Sequence, residues 1–270
     1  MKTPITYLHG YDEKEQERLV KQALHLESYV YRGVDFSKCK KIIEVGSGVG
    51  AQTEILLKRF PHLQIDCVDL SEDQIAVAKK RLAGFIKSKQ VRITHANAAH
   101  LPFRSETYDG AFICWFLEHV PDPVMILEEV KRVLASGGSV YCTEVFNQSF
   151  YLWPRCTSVK KYFEQYNRLQ IELKGDPDIG PKIPTYLRDA GFHHIHSHAR
   201  TLLYDKRHLR KRNETLKLWE ELILSGSQGL LKKKKIKKEM IEKVHLEMKK
   251  VQDNPNSIFS YTFYQSIGQH

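Results

Sequence analysis

No part of this 270-residue chain runs eighteen apolar residues without interruption, so no helix of the length a bilayer demands is encoded. The opening MKTPITYLHGYDEKEQERL lacks the apolar core of a secretory signal. Cysteine is scarce. Cys39, Cys67, Cys114, Cys142 and Cys156 are odd in number and form no CxxC. Three of them, Cys67, Cys114 and Cys142, lie inside apolar runs and read as small buried hydrophobes in a reducing compartment. These absences make the cytoplasm the expected setting. Internal repeats are lacking too. An even spread of charge is also missing: the net charge is +10, and the segment from Asp205 to Lys250 holds fifteen Lys/Arg against seven Asp/Glu, a net of +8. Any attraction to nucleic acid or an anionic surface would come from this one region.

What is present alternates. Residues 13–30 have helical spacing. Ile42–Val45, Ile65–Leu70, Val91–Thr94, Tyr108–Trp115 and Ser139–Val145 read as strands, separated by helical patterns, with Ser71 placed to cap the helix that carries Ile75, Ala78, Leu82 and Phe85 on one stripe. This alternation predicts an α/β protein with a doubly wound, mostly parallel sheet and right-handed crossovers. After Val145 the pattern turns aromatic over 146–175. A short helix ends at Gly191, His193–Tyr204 reads as a sixth strand, helical patterns follow over 206–224 and 229–252, and Ile258–Ile267 is the last strand. The expected organisation is a helical cap over 1–35 and a core over 36–204 and 257–270 with an aromatic lid segment at 146–175. A basic helical insertion over 205–256 separates the last two strands.

The chemistry is concentrated where the first strand meets a glycine-rich turn, Glu44-Val45-Gly46-Ser47-Gly48-Val49-Gly50. Glycines permit a tight turn and let a ligand approach the main chain. Dinucleotide enzymes use a similar turn, but Glu44 would disfavour a diphosphate and could accept from an ammonium group. Asp69, at the end of the second strand, is placed to accept from two ribose hydroxyls. The plainer alternatives are a surface carboxylate for Glu44 and a helix cap for Asp69.

Together with Val68-Asp69-Leu70-Ser71, Leu101-Pro102-Phe103 before Tyr108-Asp109-Gly110, Leu117-Glu118-His119-Val120-Pro121-Asp122-Pro123 and Arg132-Val133-Leu134 before Gly137-Gly138, this order of motifs resembles the class I S-adenosylmethionine-dependent methyltransferases of small-molecule type over about residues 40–145. Ile183-Pro184 through Ala190-Gly191-Phe192 resembles the later part of that family. The resemblance implies a seven-stranded Rossmann-like sheet with helical lid insertions, S-adenosylmethionine as cofactor and S-adenosylhomocysteine as product. It implies that Glu44, Gly46, Ser47 and Gly48 hold the methionine part, that Asp69 binds the ribose with Leu70 against the adenine, and that Asn97-Ala98 reads the adenine edge. That pair is more often Asp-Ala in the family. Cys114-Trp115 would face the methyl group, and Tyr11 either faces the sulfonium or simply packs.

His119 is a candidate general base, or a histidine that holds its loop. Phe146, Tyr151, Trp153 and Trp219 are candidate acceptor-facing residues, with core packing the alternative for Trp219. His194, His196 and His198 fall on one strand face, yet no nearby cysteine or carboxylate completes a site, so no metal is expected. The run Lys232–Lys235 with Lys237-Lys238 reads as a solvated helix face, with nucleic acid or anionic lipid as the other possibility. The expected reaction is in-line methyl transfer to O, N or C of a small organic acceptor. The alternatives are an RNA or protein methyltransferase docking through the basic helices, a non-catalytic cofactor-binding regulator, and, least favoured, a NAD enzyme.

Overall fold

The computed structural model describes residues 8–270; the first seven residues of the expected 1–35 cap lie outside them. Seven strands form one sheet in the order β3-β2-β1-β4-β5-β7-β6. These are β1 Lys41–Val45, β2 Gln64–Asp69, β3 Val91–His95, β4 Tyr108–Cys114, β5 Leu134–Trp153, β6 His193–Tyr204 and β7 Ile258–Gln269. The first five pair in parallel. β7 inserts antiparallel between β5 and β6, so the sheet is mixed at one edge only. The chain reverses its direction of travel across the sheet between β1 and β4. Open α/β sheets bind ligands outside the carboxyl ends of strands at such a switch point.

The helices are α1 Glu13–Val30, α2 Ala51–Arg59, α3 Glu72–Arg81, α4 Ala83–Lys87, α5 Pro123–Val133, α6 Thr157–Glu172, α7 Ile183–Asp189, α8 Leu209–Ser225, α9 Ser227–Lys232 and α10 Lys238–Asp253. Local signals set their starts. The side chains of Asp12, Ser71 and Asp122 cap α1, α3 and α5 by accepting from the third residue on, which satisfies amide groups that have no partner inside the helix. Two apolar layers cover the sheet. Ile42 faces one, with α1, α2, α6, α8 and α10, and its neighbour Ile43 faces the other, with α5 and α7, as the two-residue period of a strand requires.

Three parts of the sequence reading change. The fifth strand does not end at Val145: it runs on through the first part of the aromatic segment to Trp153, and residues 157–172 form α6. The continuation is interrupted by a large bulge, since Phe146 pairs with Thr262 but Tyr151 with Ser260. The Ser149 hydroxyl stitches it, accepting from Thr262 N at 2.8 Å. The basic helices break elsewhere than expected. Ser225-Gly226-Ser227 is only a step from α8 to α9, and Lys233–Lys237 is the connection to α10 rather than a helix face. In β6, a register shift between His193 and His196 leaves His194 at φ 46°. The alternation that would put His194 on the face of His196 and His198 is therefore broken.

Candidate active site

The turn after β1 passes through Gly46, Gly48 and Gly50 at φ +73°, +52° and +74°, a region that L side chains rarely enter. Gly46 N and Ser47 N both donate to Val68 O of β2, at 2.9 and 3.1 Å, which fixes the turn against the neighbouring strand. The three glycines serve different ends. A Cβ on Gly46 would strike the Phe116 ring at 2.4 Å and one on Gly50 would strike Leu82 at 2.7 Å, whereas one on Gly48 would meet nothing within 4 Å. Gly48 therefore borders open space with its backbone bare. Beside it the Ser47 hydroxyl is buried with no hydrogen-bond partner. A bare backbone next to an orphaned hydroxyl is what a bound polar ligand would complete.

Two carboxylates flank this cradle at the ends of adjacent strands. Glu44 is buried and accepts from Thr53 Oγ1 at 2.6 Å. Burial pushes its carboxyl up to about 8, against the Thr53 hydrogen bond and with help from the Asp69 charge. Asp69 accepts from Gly48 N and Ser71 N, each at 2.8 Å through a different oxygen, which leaves each oxygen a lone pair for a further donor. Burial raises its carboxyl above the usual range. Leu70 is 47% exposed beside it. Asn97 is exposed and accepts from Ala99 N at 3.0 Å, and Ala98 is buried. Burial, then the charges of Asp69 and Asp73, raise the Tyr11 hydroxyl.

Past the cradle, β4 ends at Cys114, whose sulfur accepts from Gln52 Nε2 at 3.6 Å. Trp115 then adopts φ 51°, a strained conformation for a bulky residue and one that concentrates at functional positions. Its N–H is held by Thr143 O at 2.8 Å. The next turn is anchored from below by Glu144, fully buried in β5, which accepts from the N–H groups of Phe116, Leu117 and Glu118. Burial, then the nearby Glu118, push Glu144 up to about 8.

Trp115 opens onto a cavity of about 40 Å³, room for about three water-sized groups. Its aromatic walls are Trp115, Phe163, Tyr166, Trp219, Tyr261 and Phe263, and its polar walls are His9, Gln22, Glu118 and Asn147. The Trp219 Nε1–H is buried with no acceptor. His9 Nδ1 meets the Ser225 hydroxyl and Nε2 meets Tyr166 OH at 3.1 Å. Because the Ser225 hydroxyl donates to Leu222 O, its oxygen is left to accept from Nδ1–H, and the Nε2 lone pair faces the Tyr166 phenol. Burial, then the Arg18 charge, hold His9 well below the usual histidine range, so its imidazole is neutral near pH 7.

The structure brings Glu44, Gly46, Ser47, Gly48 and Asp69 around one cradle, and joins Trp115 to Trp219. It does not gather the remaining aromatics there. Phe146 packs edge-on to Tyr264 on the far side of the bulge, and Phe150 is the ring that stacks on Trp219, at 5.7 Å. Tyr151 and Trp153, each 52% exposed, line a neighbouring cleft of about 570 Å³ between β5 and α6 that shares Asn147 and Phe163 with the cavity. His119 stands behind His9, ring to ring at 6.0 Å, with Glu118 at 3.7 Å. The cavity wall is made by His9 and Glu118, neither singled out from the sequence. Glu144 was legible as a charge inside the apolar run Val140–Val145, whereas nothing local marks His9. The three strand histidines are exposed, and among the described residues no group of three His, Cys, Asp or Glu could hold a metal.

A family profile described as a methyltransferase domain matches residues 43–142, the span from β1 into β5. A demethylmenaquinone methyltransferase of Bacillus cytotoxicus is 29% identical over 178 residues, covering 61% of this chain and 74% of the relative. In fold, phosphoethanolamine N-methyltransferase 2 of Haemonchus contortus, solved with phosphomonomethylethanolamine and S-adenosylhomocysteine, superposes with a TM-score of 0.60 at 17% identity, covering 98% of this chain and 60% of that one. The [4+2]-cyclase SpnF superposes with a TM-score of 0.52 at 17% identity, covering 92% and 80%. A shared fold at such identities carries no particular reaction.

Proposed function

Since the chain belongs to the class I S-adenosylmethionine-dependent methyltransferases, we propose that it methylates a small organic acceptor held in the Trp115–Trp219 cavity, with the cofactor in the glycine cradle. The observation that carries this reading is the continuity of the two: Trp115 directly follows the strand beside the cradle and forms a wall of the cavity. S-adenosylmethionine supplies a methyl group already activated by its sulfonium. In this reading Glu44 holds its ammonium group, the Ser47 hydroxyl meets its polar atoms beside the open surface of Gly48, and Asp69 binds the ribose. Leu70, Asn97 and Ala98 border the adenine, and Cys114 and Tyr11 close the sides.

The remaining task of such a site is to align the acceptor and exclude water, and alignment alone can supply about 7–11 kcal/mol. The small cavity and its aromatic walls suit both demands. The demethylmenaquinone methyltransferase that the chain resembles is named for a small-molecule acceptor, which supports a small acceptor over RNA or protein. Among the described residues no helix is long and apolar enough to cross a membrane. We also propose a cytoplasmic setting, supported by five cysteines that are all free.

Calorimetry tests the cofactor assignment. S-adenosylmethionine and S-adenosylhomocysteine are expected to bind at micromolar levels and NAD not at all. Asp69→Ala is expected to weaken binding by about 1–3 kcal/mol through lost buried hydrogen bonds. NAD binding with no response to either adenosyl ligand refutes the reading, and unchanged affinity in the variant removes Asp69 from the site.

A further inference from the structure

Resting on that reading of the cavity as the acceptor site, we propose that the acceptor is a small basic amine that enters as its ammonium ion. Six aromatic rings wall the cavity, and the one charged side chain among its lining residues is a carboxylate, Glu118, with no lysine or arginine. Aromatic faces present negative potential and attract cations, most strongly where water is excluded. A phenolate, a carboxylate or a phosphate would meet Glu118 as a like charge in a poorly solvated space, which is costly.

The surroundings reinforce the sign. Glu118 accepts from Gln170 Nε2 at 2.7 Å, a neutral donor, and its other near neighbour is His119 at 3.7 Å. Arg18, whose charge reaches His9 and His119, is already held by Glu15 in two bonds of 2.7 Å. Among the described residues the wall of the pocket therefore carries no lysine or arginine, and an ammonium ligand would supply a counter-cation to Glu118.

The chemistry balances. The ammonium ion first gives its proton to the Glu118 carboxylate that it faces. Its nitrogen lone pair then forms the new N–C bond as the methyl C–S bond breaks, and that electron pair stays on sulfur as the neutral thioether.

The test uses protein saturated with S-adenosylhomocysteine, titrated calorimetrically with choline and with 3,3-dimethylbutan-1-ol, its uncharged carbon isostere. Choline is expected to bind at least tenfold more tightly. Glu118→Gln should shrink that ratio at least fivefold. Trp219→Leu should do the same, and Trp219→Phe should restore most of it. Thermal unfolding of each variant identifies any that fails to fold, and the Trp219 pair carries the test if Glu118→Gln does. Equal binding of the two probes, preference for the alcohol, or no binding of choline to the loaded protein overturns the amine assignment while leaving methyl transfer intact. Failure of S-adenosylhomocysteine to bind refutes the site reading beneath it.

Discussion

Glu44 shows how one side chain links burial to ligand recognition. Its carboxyl is pushed up to about 8 because it is buried with only Thr53 as a hydrogen-bond donor. At neutral pH it is therefore largely protonated, and an arriving ammonium group selects the ionised form. Binding must then release a proton, so affinity for S-adenosylmethionine rises with pH below about 8, approaching tenfold per unit, and levels off above it. The sign is that of an acid whose raised folded value is lowered by its ligand. Calorimetry between about pH 6 and 7.5 checks this, and Glu44→Gln is expected to flatten the profile as well as weaken binding. A wild-type affinity independent of pH would place the ammonium group elsewhere. The glycines teach a related lesson. Gly46 and Gly50 are required by their neighbours Phe116 and Leu82, and Gly48 by open space.

At the scale of elements, the inserted helices have a structural anchor of their own. Arg212 in α8 is fully buried, and its guanidinium donates to Pro255 O, Ser257 O and Gln252 O at 3.0–3.2 Å. It thereby ties α8 to the corner where α10 turns into β7. A buried charge is tolerated here because several carbonyls solvate it. Arg212→Leu strands those carbonyls and is expected to cost at least about 2 kcal/mol of stability, read as a lowered midpoint in chemical denaturation. An unchanged midpoint would mean that α8 is held by its apolar face alone. The same helix delivers Trp219 to the cavity and Ser225 to His9, so loosening the anchor should also loosen the acceptor side of the site.

For the whole molecule, the uneven charge is the feature that most invites a nucleic-acid reading. The connection Lys233–Lys237 is partly spoken for, since Lys233 and Lys235 reach Glu172 of α6 at 3.6 and 2.5 Å. Exposed pairs of this kind contribute little energy, but they turn part of the run back onto the protein. Replacing Lys232, Lys234, Lys237 and Lys238 by Gln is expected to leave methyl transfer to a small acceptor unchanged. Tight RNA binding by the parent, steeply weakened by salt and made less salt-dependent in the variant, would instead favour a nucleic-acid substrate.

The sequence by itself determined the sheet, the cradle and the reaction. Periodicity and caps are local, and a strand running into Gly-x-Gly-x-Gly carries its own geometric demand, so β1 to β4, α1 to α3 and the cluster around Glu44 and Asp69 could be read from neighbours in the chain. Only the tertiary structure decided the acceptor side. The cavity joins His9, Trp115, Glu118, Tyr166, Trp219 and Tyr261, which come from α6, α8, β7, a short 3-10 turn and two loops, and no short-range pattern records which of several aromatic residues will meet. The β5 bulge is the sharpest case. It sends Phe150 onto Trp219 while Tyr151 and Trp153 face a different cleft. A shift of register reassigns every side chain beyond it to the other face, and that shift is set by pairing with β7, more than a hundred residues away.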